Sequence, residues 1–212
     1  MLLSTAYFPP LSWFALAARD FVLTPESAVP SVVELEACEH YVKQSWRNRC
    51  RIAGPNGAEE LNVPIVHEGT LPVARVRVDW STPWLLRTER AFDAAYRTSA
   101  FYEAYRDDLF ARLEERPEHL FDLNLSIIRF FLDKTGIACE LRPTLQYAAP
   151  GGEDDYRELL HPKRPNTVLR DLGLEKPYFQ VFARKYGFLP DLSVADLLFN
   201  EGPDSILYLK RL

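Results

Sequence analysis

The feature that most constrains the fold of this chain is a change of hydrophobic period near residue 80. Between residues 83 and 135, apolar side chains recur every three or four positions, as they do on the buried face of an α-helix. The spacing predicts three helices, with inward residues Leu85, Leu86, Phe92 and Tyr96, then Phe101, Tyr105, Leu109 and Leu113, then Leu123, Ile127, Phe130 and Phe131. Pro83, Ser99, Pro117 and Gly136 are typical of helix boundaries and mark these segments.

Before residue 80 the period is two, which is typical of β-strands. Apolar and polar residues alternate in three places: at Cys50 and Ile52, from residue 61 to 65, and from residue 73 to 78. A turn at Asn56-Gly57 separates the first two, so the pattern predicts an antiparallel meander. If Cys50 and Ile52 face the core, the opposite face carries Arg49, Arg51, Glu60, Asn62, Arg75 and Arg77.

The two ends of the chain complete the predicted fold. Residues 2–7 and 21–24 are apolar enough for strands, with a helix over residues 11–19 between them and a stop at Pro25. This resembles a short βαβ unit, although parallel pairing normally needs a longer connection. Residues 137–141 are a further strand candidate, and Ser193 with Asp196 predicts a capped helix. We therefore expect a mixed α/β class in one domain, residues 1–212, sheet-rich over 1–80, helix-rich over 81–136 and mixed over 137–212.

Charge and composition narrow the classes of function. The formal net charge is −5 at pH 7, which argues against a general nucleic-acid or anionic-membrane binder because both need a basic surface. The apolar amino-terminal residues lack a preceding basic region and are interrupted by Pro9 and Pro10, so neither a signal peptide nor a membrane span is predicted. Three widely spaced cysteines indicate buried free thiols in a reducing compartment. These features favour a cytoplasmic protein, and they leave its oligomeric state open.

Basic and amide side chains are concentrated between residues 43 and 51, and they form the best candidate binding site. Arginine binds phosphate and carboxylate groups through two parallel hydrogen bonds, and an amide orients its neighbours. The predicted anion-binding set is Lys43, Asn48, Arg49, Arg51 and Arg75. A small anionic substrate, such as an activated sugar or acyl donor, would suit it. The alternative is a solvated cationic strand face with Glu60 as its counter-charge.

Candidate catalytic groups are few. His161 is the best general-base candidate, since it lies next to Lys163 and follows an acidic loop, and Glu201 is a candidate acid at a helix end. Cys50 lies between two arginines that would lower the pKa of its thiol, but the strand period directs its side chain to the apolar face. We find none of the glycine-rich or metal-binding motifs of common cofactors, so neither a cofactor nor a metal is predicted.

Four segments make the chain resemble the WbqC-like family. They are residues 6–14 (AYFPPLSWF), residues 43–52 (KQSWRNRCRI) with the return 57–64 (GAEELNVP), residues 95–105 (AYRTSAFYEAY) leading to Leu123-Asn124, and residues 178–182 (YFQVF) with 196–203 (DLLFNEGP). One departure bears on activity: Arg87 stands where members of the family often have a histidine.

The resemblance implies an accessory transferase, acting on acyl, aminoacyl or sugar groups, in bacterial surface-polysaccharide (O-antigen) or natural-product biosynthesis. The alternative function is a non-catalytic binding or assembly protein of the same pathway, which the absence of a recognised catalytic motif favours. If the family histidine is catalytic, the arginine at position 87 would remove that activity here.

Overall fold

The computed structural model describes residues 1–24 and 27–210, in which strands and helices are interspersed. The strands are β1 (Leu2–Ser4), β2 (Val22–Leu23), β3 (Ala28–Val29), β4 (Ser31–Glu36), β5 (Arg49–Gly54), β6 (Gly57–Asn62) and β7 (Cys139–Pro143). The α-helices are α1 (Leu11–Ala18), α2 (Trp84–Tyr96), α3 (Tyr102–Glu114), α4 (Leu120–Thr135), α5 (Val168–Asp171), α6 (Ala183–Tyr186), α7 (Val194–Glu201) and α8 (Ser205–Leu209). Most strands precede the long helices, which confirms the predicted mixed α/β class.

Strands β1, β4 and β7 form a parallel three-stranded sheet with β4 in the centre. Val33 and Leu35 of the central strand β4 are fully buried, as expected for a strand flanked on both sides. Residues 21–24 do not pair with β1 as a βαβ unit would require; they form a small antiparallel hairpin of β2 with β3. Val22 and Leu23 are exposed there, so β4 offers the better apolar strand for the sheet. The predicted stop at Pro25 lies outside the described residues.

The predicted turn at Asn56-Gly57 joins β5 to β6 in an antiparallel hairpin, and Gly57 has a positive φ of 104°. The third strand of the predicted meander is correct only at its end, where Val78 forms an isolated antiparallel bridge with Ile65. Val73–Arg75 form a 3-10 turn, whose Val73 and Ala74 amides donate to the carbonyls of Glu39 and Ala37. These two amide groups are therefore hydrogen-bonded to the segment after β4. The buried Val73 and Val76 are three residues apart, which is the spacing of side chains on one face of a 3-10 helix. Arg75 and Arg77 consequently do not share a sheet face with Arg49 and Arg51.

The three predicted helices correspond to α2, α3 and α4, and their apolar faces form an aromatic core, although Leu86, predicted to face inward, is exposed. Phe92 packs against Phe8 with ring centroids 4.9 Å apart and against Phe199 at 6.0 Å, and Tyr102 packs against Phe199 at 5.0 Å. The interior here is filled by edge-to-face and tilted rings, an arrangement that aromatic pairs favour. Residues from the segment between β1 and α1 and from α2, α3 and α7 are thereby joined in one core.

The predicted helix boundaries agree in part. Gly136 ends α4 in the left-handed conformation, with φ 71°. Ser99 does not cap α3, because its hydroxyl donates to the carbonyl of Tyr96 and the helix begins after Phe101. Ser193 does cap α7, accepting a hydrogen bond from the Ala195 amide. Within the described residues, no helix combines the length and the apolar character needed to cross a membrane.

Ion pairs stabilise the carboxyl ends of the parallel strands. Glu36, the last residue of β4, is fully buried and accepts a hydrogen bond from Arg157 at 3.0 Å. Arg157 also binds Asp155 through two nitrogens, at 2.9 and 2.7 Å. Close by in the sequence, Arg47 binds Glu39 at 2.9 and 2.7 Å, and both residues are buried. At this end of the sheet each buried cation therefore has a carboxylate.

Candidate functional site

The basic stretch divides into residues that stabilise the fold and one that faces a cleft. Arg47 is consumed by its buried pair with Glu39. Arg49 lies on β5 with Arg51, and the register places both on the face of Glu60 and Asn62, as the alternation predicted. Arg49 binds the Glu60 carboxylate at 2.5 Å. Arg51 forms no ion pair with any carboxylate of residues 1–24 or 27–210.

Arg51 contributes to a cleft of about 490 Å³ between the hairpin β5–β6 and the carboxyl-terminal segments. The cleft is lined by Trp46, Arg51, Ala58, His161, Pro162, Lys163, Arg164, Pro165, Asn166, Leu169, Arg170, Leu174, Glu175, Phe188, Leu189, Pro190, Asp191, Leu192 and Tyr208. Its position depends on a backbone hydrogen bond of 2.8 Å from the Ser193 amide to the Arg51 carbonyl. That bond joins the strand to the start of α7.

The Arg51 guanidinium is held beside an aromatic ring. Its Cζ lies 5.7 Å from the ring centroid of Trp46, which is a cation–π distance. The Nε atom is buried and finds no acceptor in the described part of the chain, a situation that Nε of Arg49 shares. Arg51 therefore combines a fixed orientation with an uncompensated charge, which is the arrangement that binds an anion.

His161 lies in the same cleft, as Arg51 does, so the structure brings these two predicted site residues together. Its pKa is lowered by partial burial and by the nearby charges of Arg164 and Lys163, which favours the neutral ring at pH 7. The Nδ1 atom accepts a hydrogen bond of 3.1 Å from the Lys163 amide. In the neutral ring the proton is then on Nε2, so His161 presents a hydrogen-bond donor rather than a base.

The structure places the other predicted binding residues outside this cleft. Asn48 is buried and its Nδ2 donates to the Val63 carbonyl at 2.9 Å, so it supports the hairpin. Lys43 is exposed on a turn, and Arg75 is exposed on the 3-10 turn. Glu201, the candidate acid, accepts a hydrogen bond of 3.0 Å from the Phe179 amide at the end of α7.

Cys50 and Arg87 lie away from the cleft as well. The Cys50 thiol is fully buried, and burial raises its pKa well above the usual range, so it is a core residue and not a thiolate nucleophile. Cys38 and Cys139 are also free thiols but only partly buried. Arg87 lines a second cleft of about 510 Å³, where Glu59 and Glu60 give the opposite charge balance. The described residues contain no cluster of histidine, cysteine and carboxylate side chains suited to a metal ion.

Sequence reasoning did not identify the second wall of the cleft. Lys163, Arg164 and Arg170 add positive charge, while Glu175 and Asp191 are the carboxylates in the lining. Lys163 binds the Gln44 side-chain oxygen, which connects this wall to the basic stretch. The sequence signal for this wall was the run of cations directly after His161.

Comparisons with known proteins agree with the resemblance found in the sequence. The model of the family described as "WbqC-like protein family" matches residues 6–162, a range that includes both Arg51 and His161. "Uncharacterized protein Rv1507c" of Mycobacterium tuberculosis (strain ATCC 25618 / H37Rv) is 26% identical over 194 residues, covering 80% of this chain and 84% of the relative. No solved structure matches the chain. Because the family model spans most of the sequence, the protein belongs to the WbqC-like family.

Proposed function

We propose that this WbqC-like protein binds the anionic group of an activated donor in the cleft at Arg51, and that it acts as an accessory transferase in surface-polysaccharide or natural-product biosynthesis. The observation that supports this most directly is the Arg51 guanidinium, which lines the cleft without a carboxylate partner in the described residues. A planar guanidinium fixed beside a ring is well suited to phosphate or carboxylate oxygens.

The charge balance of the cleft supports the same conclusion. Arg51, Lys163, Arg164 and Arg170 line it against the carboxylates of Glu175 and Asp191. Arg164 and Arg170 have only loose, exposed partners, Glu158 at 3.5 Å and Asp171 at 3.9 Å, which cost little to exchange for a ligand. The second cleft has Arg87 together with Glu59 and Glu60 in its lining, so it is less positive than the first.

His161 supplies the chemistry in this proposal. With Nδ1 held by the Lys163 amide, Nε2–H would donate to an oxygen of the donor and stabilise charge that develops there. General-base action at Nε2 would require the other tautomer, in which the Lys163 contact is lost. We therefore expect His161 to polarise the donor through this hydrogen bond rather than to transfer a proton.

A second candidate function, a binding or assembly protein without catalysis, is favoured by one observation. The candidate acid Glu201 is absent from the cleft lining, and Asp191 is occupied by hydrogen bonds from Ser12 at 2.7 and 3.0 Å. The lining then offers Glu175 as its carboxylate for acid–base work. The two functions differ in whether a bound donor is consumed.

The test is calorimetric titration with inorganic pyrophosphate, UDP-glucose and acetyl-CoA. We expect Arg51→Ala to weaken binding about 10- to 100-fold, because a charge-assisted hydrogen bond contributes that much. Arg49→Ala is the matched control, since Arg49 lies on the same strand face but is bound to Glu60. Equal losses in both variants, or none in Arg51→Ala, would contradict the site.

Turnover separates the two functions. Mass spectrometry of the donor with amino-sugar acceptors should show transfer by the wild-type protein and strong reduction in His161→Gln, with pyrophosphate binding weakened only slightly. Tight binding with no donor consumed by either protein would favour the assembly function.

A further inference from the structure

The lining of the cleft combines two kinds of surface. Arg51, Lys163, Arg164 and Arg170 are cationic, whereas Leu169, Leu174, Phe188 and Tyr208 are apolar or aromatic. Leu174 and Tyr208 belong together, because the Tyr208 hydroxyl donates to the Leu174 carbonyl at 2.8 Å. The rings of Phe188 and Tyr208 both pack on Tyr178, each with centroids 5.2 Å apart, so Leu174, Phe188 and Tyr208 belong to one apolar wall.

Three polar groups of the lining are already engaged by the protein. Asp191 accepts from the Ser12 amide and hydroxyl and from Asn166 at 3.2 Å, which supplies α1 with the cap that Pro10 cannot provide. The Asn166 oxygen accepts from the Val168 amide at 3.1 Å. The Tyr208 hydroxyl is used as well, with oxygens of Leu174 and Lys176 at 2.8 and 2.6 Å.

The groups of the lining that remain for a ligand are therefore the cations, the His161 donor, the Glu175 carboxylate and the apolar side chains. A nucleotide base or a sugar ring placed against Leu169, Leu174, Phe188 and Tyr208 would lose its hydrogen bonds to water without replacement, which is costly for buried polar groups. An apolar chain would lose no hydrogen bonds there and would gain from burial. Among donors with an anionic group, the lining thus favours those that carry an apolar chain.

We propose that the ligand of this cleft is an amphiphilic anion, whose phosphate or carboxylate head binds Arg51 and His161 and whose apolar chain lies along Leu169, Leu174, Phe188 and Tyr208. The inference rests on the proposed function for the head and adds the class of the attached group: an acyl or alkyl chain rather than a sugar. A phosphate-borne acyl group and a free carboxylate-headed chain share this chemistry.

A chain-length series of alkyl phosphates (methyl, butyl, hexyl), with inorganic phosphate as reference, tests the proposal by titration calorimetry. Each methylene that becomes buried should tighten binding about three- to fourfold until the wall is covered. A parallel titration with hexanoate tests whether the cleft accepts a carboxylate head. If hexanoate binds and Arg51→Ala weakens that binding as it weakens phosphate binding, free carboxylate-headed chains are ligands as well. UDP-glucose should bind no more tightly than the methyl phosphate ester.

Leu169→Gln keeps the side-chain volume and makes the wall polar, and it should remove the gain with chain length while leaving the affinity for inorganic phosphate unchanged. Phe188→Gln, on another segment, is the second variant should the first not fold. A flat chain-length series with phosphate binding that depends on Arg51 would overturn this proposal and leave the proposed function standing. Failure of every phosphate to bind would overturn both.

Discussion

Two regions of the molecule use charged side chains in opposite ways. At the carboxyl ends of the parallel strands, the buried Glu36 and Arg47 each have a partner of opposite charge, Arg157 and Glu39 respectively. Around the cleft, Arg51 and the buried Asp196 have no opposite charge among the described residues. Paired charges stabilise one arrangement of the chain, whereas uncompensated charges are available to ligands or protons.

The contrast occurs within a single short stretch. Arg47 and Arg51 are four positions apart, and composition gives them the same weight. The difference is in the partner: Arg47 turns inward onto Glu39, and Arg51 follows the strand period into the cleft. Pairing, rather than residue type, therefore distinguishes the arginine that remains available to a ligand.

Removing Arg157 from the region of paired charges should have the largest effect on stability. Arg157→Ala would leave the fully buried Glu36 and the nearly buried Asp155 without their partner, which typically costs about 3–5 kcal/mol of unfolding free energy. Urea denaturation monitored by circular dichroism measures it. The matched control is Arg142→Ala, whose partner Glu140 is half exposed, so we expect a loss below about 1 kcal/mol. Similar losses in the two variants would show that burial of the pair does not matter.

The unpaired carboxyl of Asp196 should make stability depend on pH. It accepts from Tyr178 at 2.7 Å and from Gln180 at 2.9 Å, so it does not cap α7 as the sequence suggested. Burial raises the pKa of the Asp196 carboxyl to about 6. Its hydrogen-bond donor Tyr178 packs on Phe188 and Tyr208, which line the cleft. Because the folded state then binds the proton more tightly than the unfolded state, its contribution is present at low pH and lost as pH rises.

Asp196→Asn isolates that contribution, since the other titrating groups are common to both proteins. The unfolding free energy of the wild type relative to Asp196→Asn should fall by about 3 kcal/mol between about pH 3 and pH 7, given about 1.4 kcal/mol per pKa unit. Urea titrations at four pH values measure the difference. A difference that is constant, or that rises with pH, would show that the neighbouring donors outweigh burial.

The sequence predicted the elements whose signals are local. The spacing of Phe92 and Tyr96, or the glycine after α4, depends on residues within a few turns of each other. The cleft depends on contacts between distant segments: residues 51, 161 and 191 are far apart in the sequence, and the Arg157–Glu36 pair spans 121 positions. The third strand failed over residues 73–75 for a related reason, because the amides of residues 73 and 74 were already bound to the segment after β4.

The smallest expected effect separates Arg49 from Arg51 on their common strand face. Glu60 lies opposite Arg51 in the β-sheet register, yet its carboxylate binds Arg49 diagonally at 2.5 Å. A double-mutant cycle of Arg49→Ala with Glu60→Ala should give a coupling of about 0.2–1 kcal/mol, as exposed pairs do, and it should weaken at high salt. The cycle of Arg51→Ala with Glu60→Ala should give a coupling near zero, measured by the same urea denaturation. A larger coupling for Arg51 would mean that Glu60 neutralises the Arg51 guanidinium in solution. Arg51 would then be a paired arginine like Arg49, and the contrast between the two regions would not hold at the cleft.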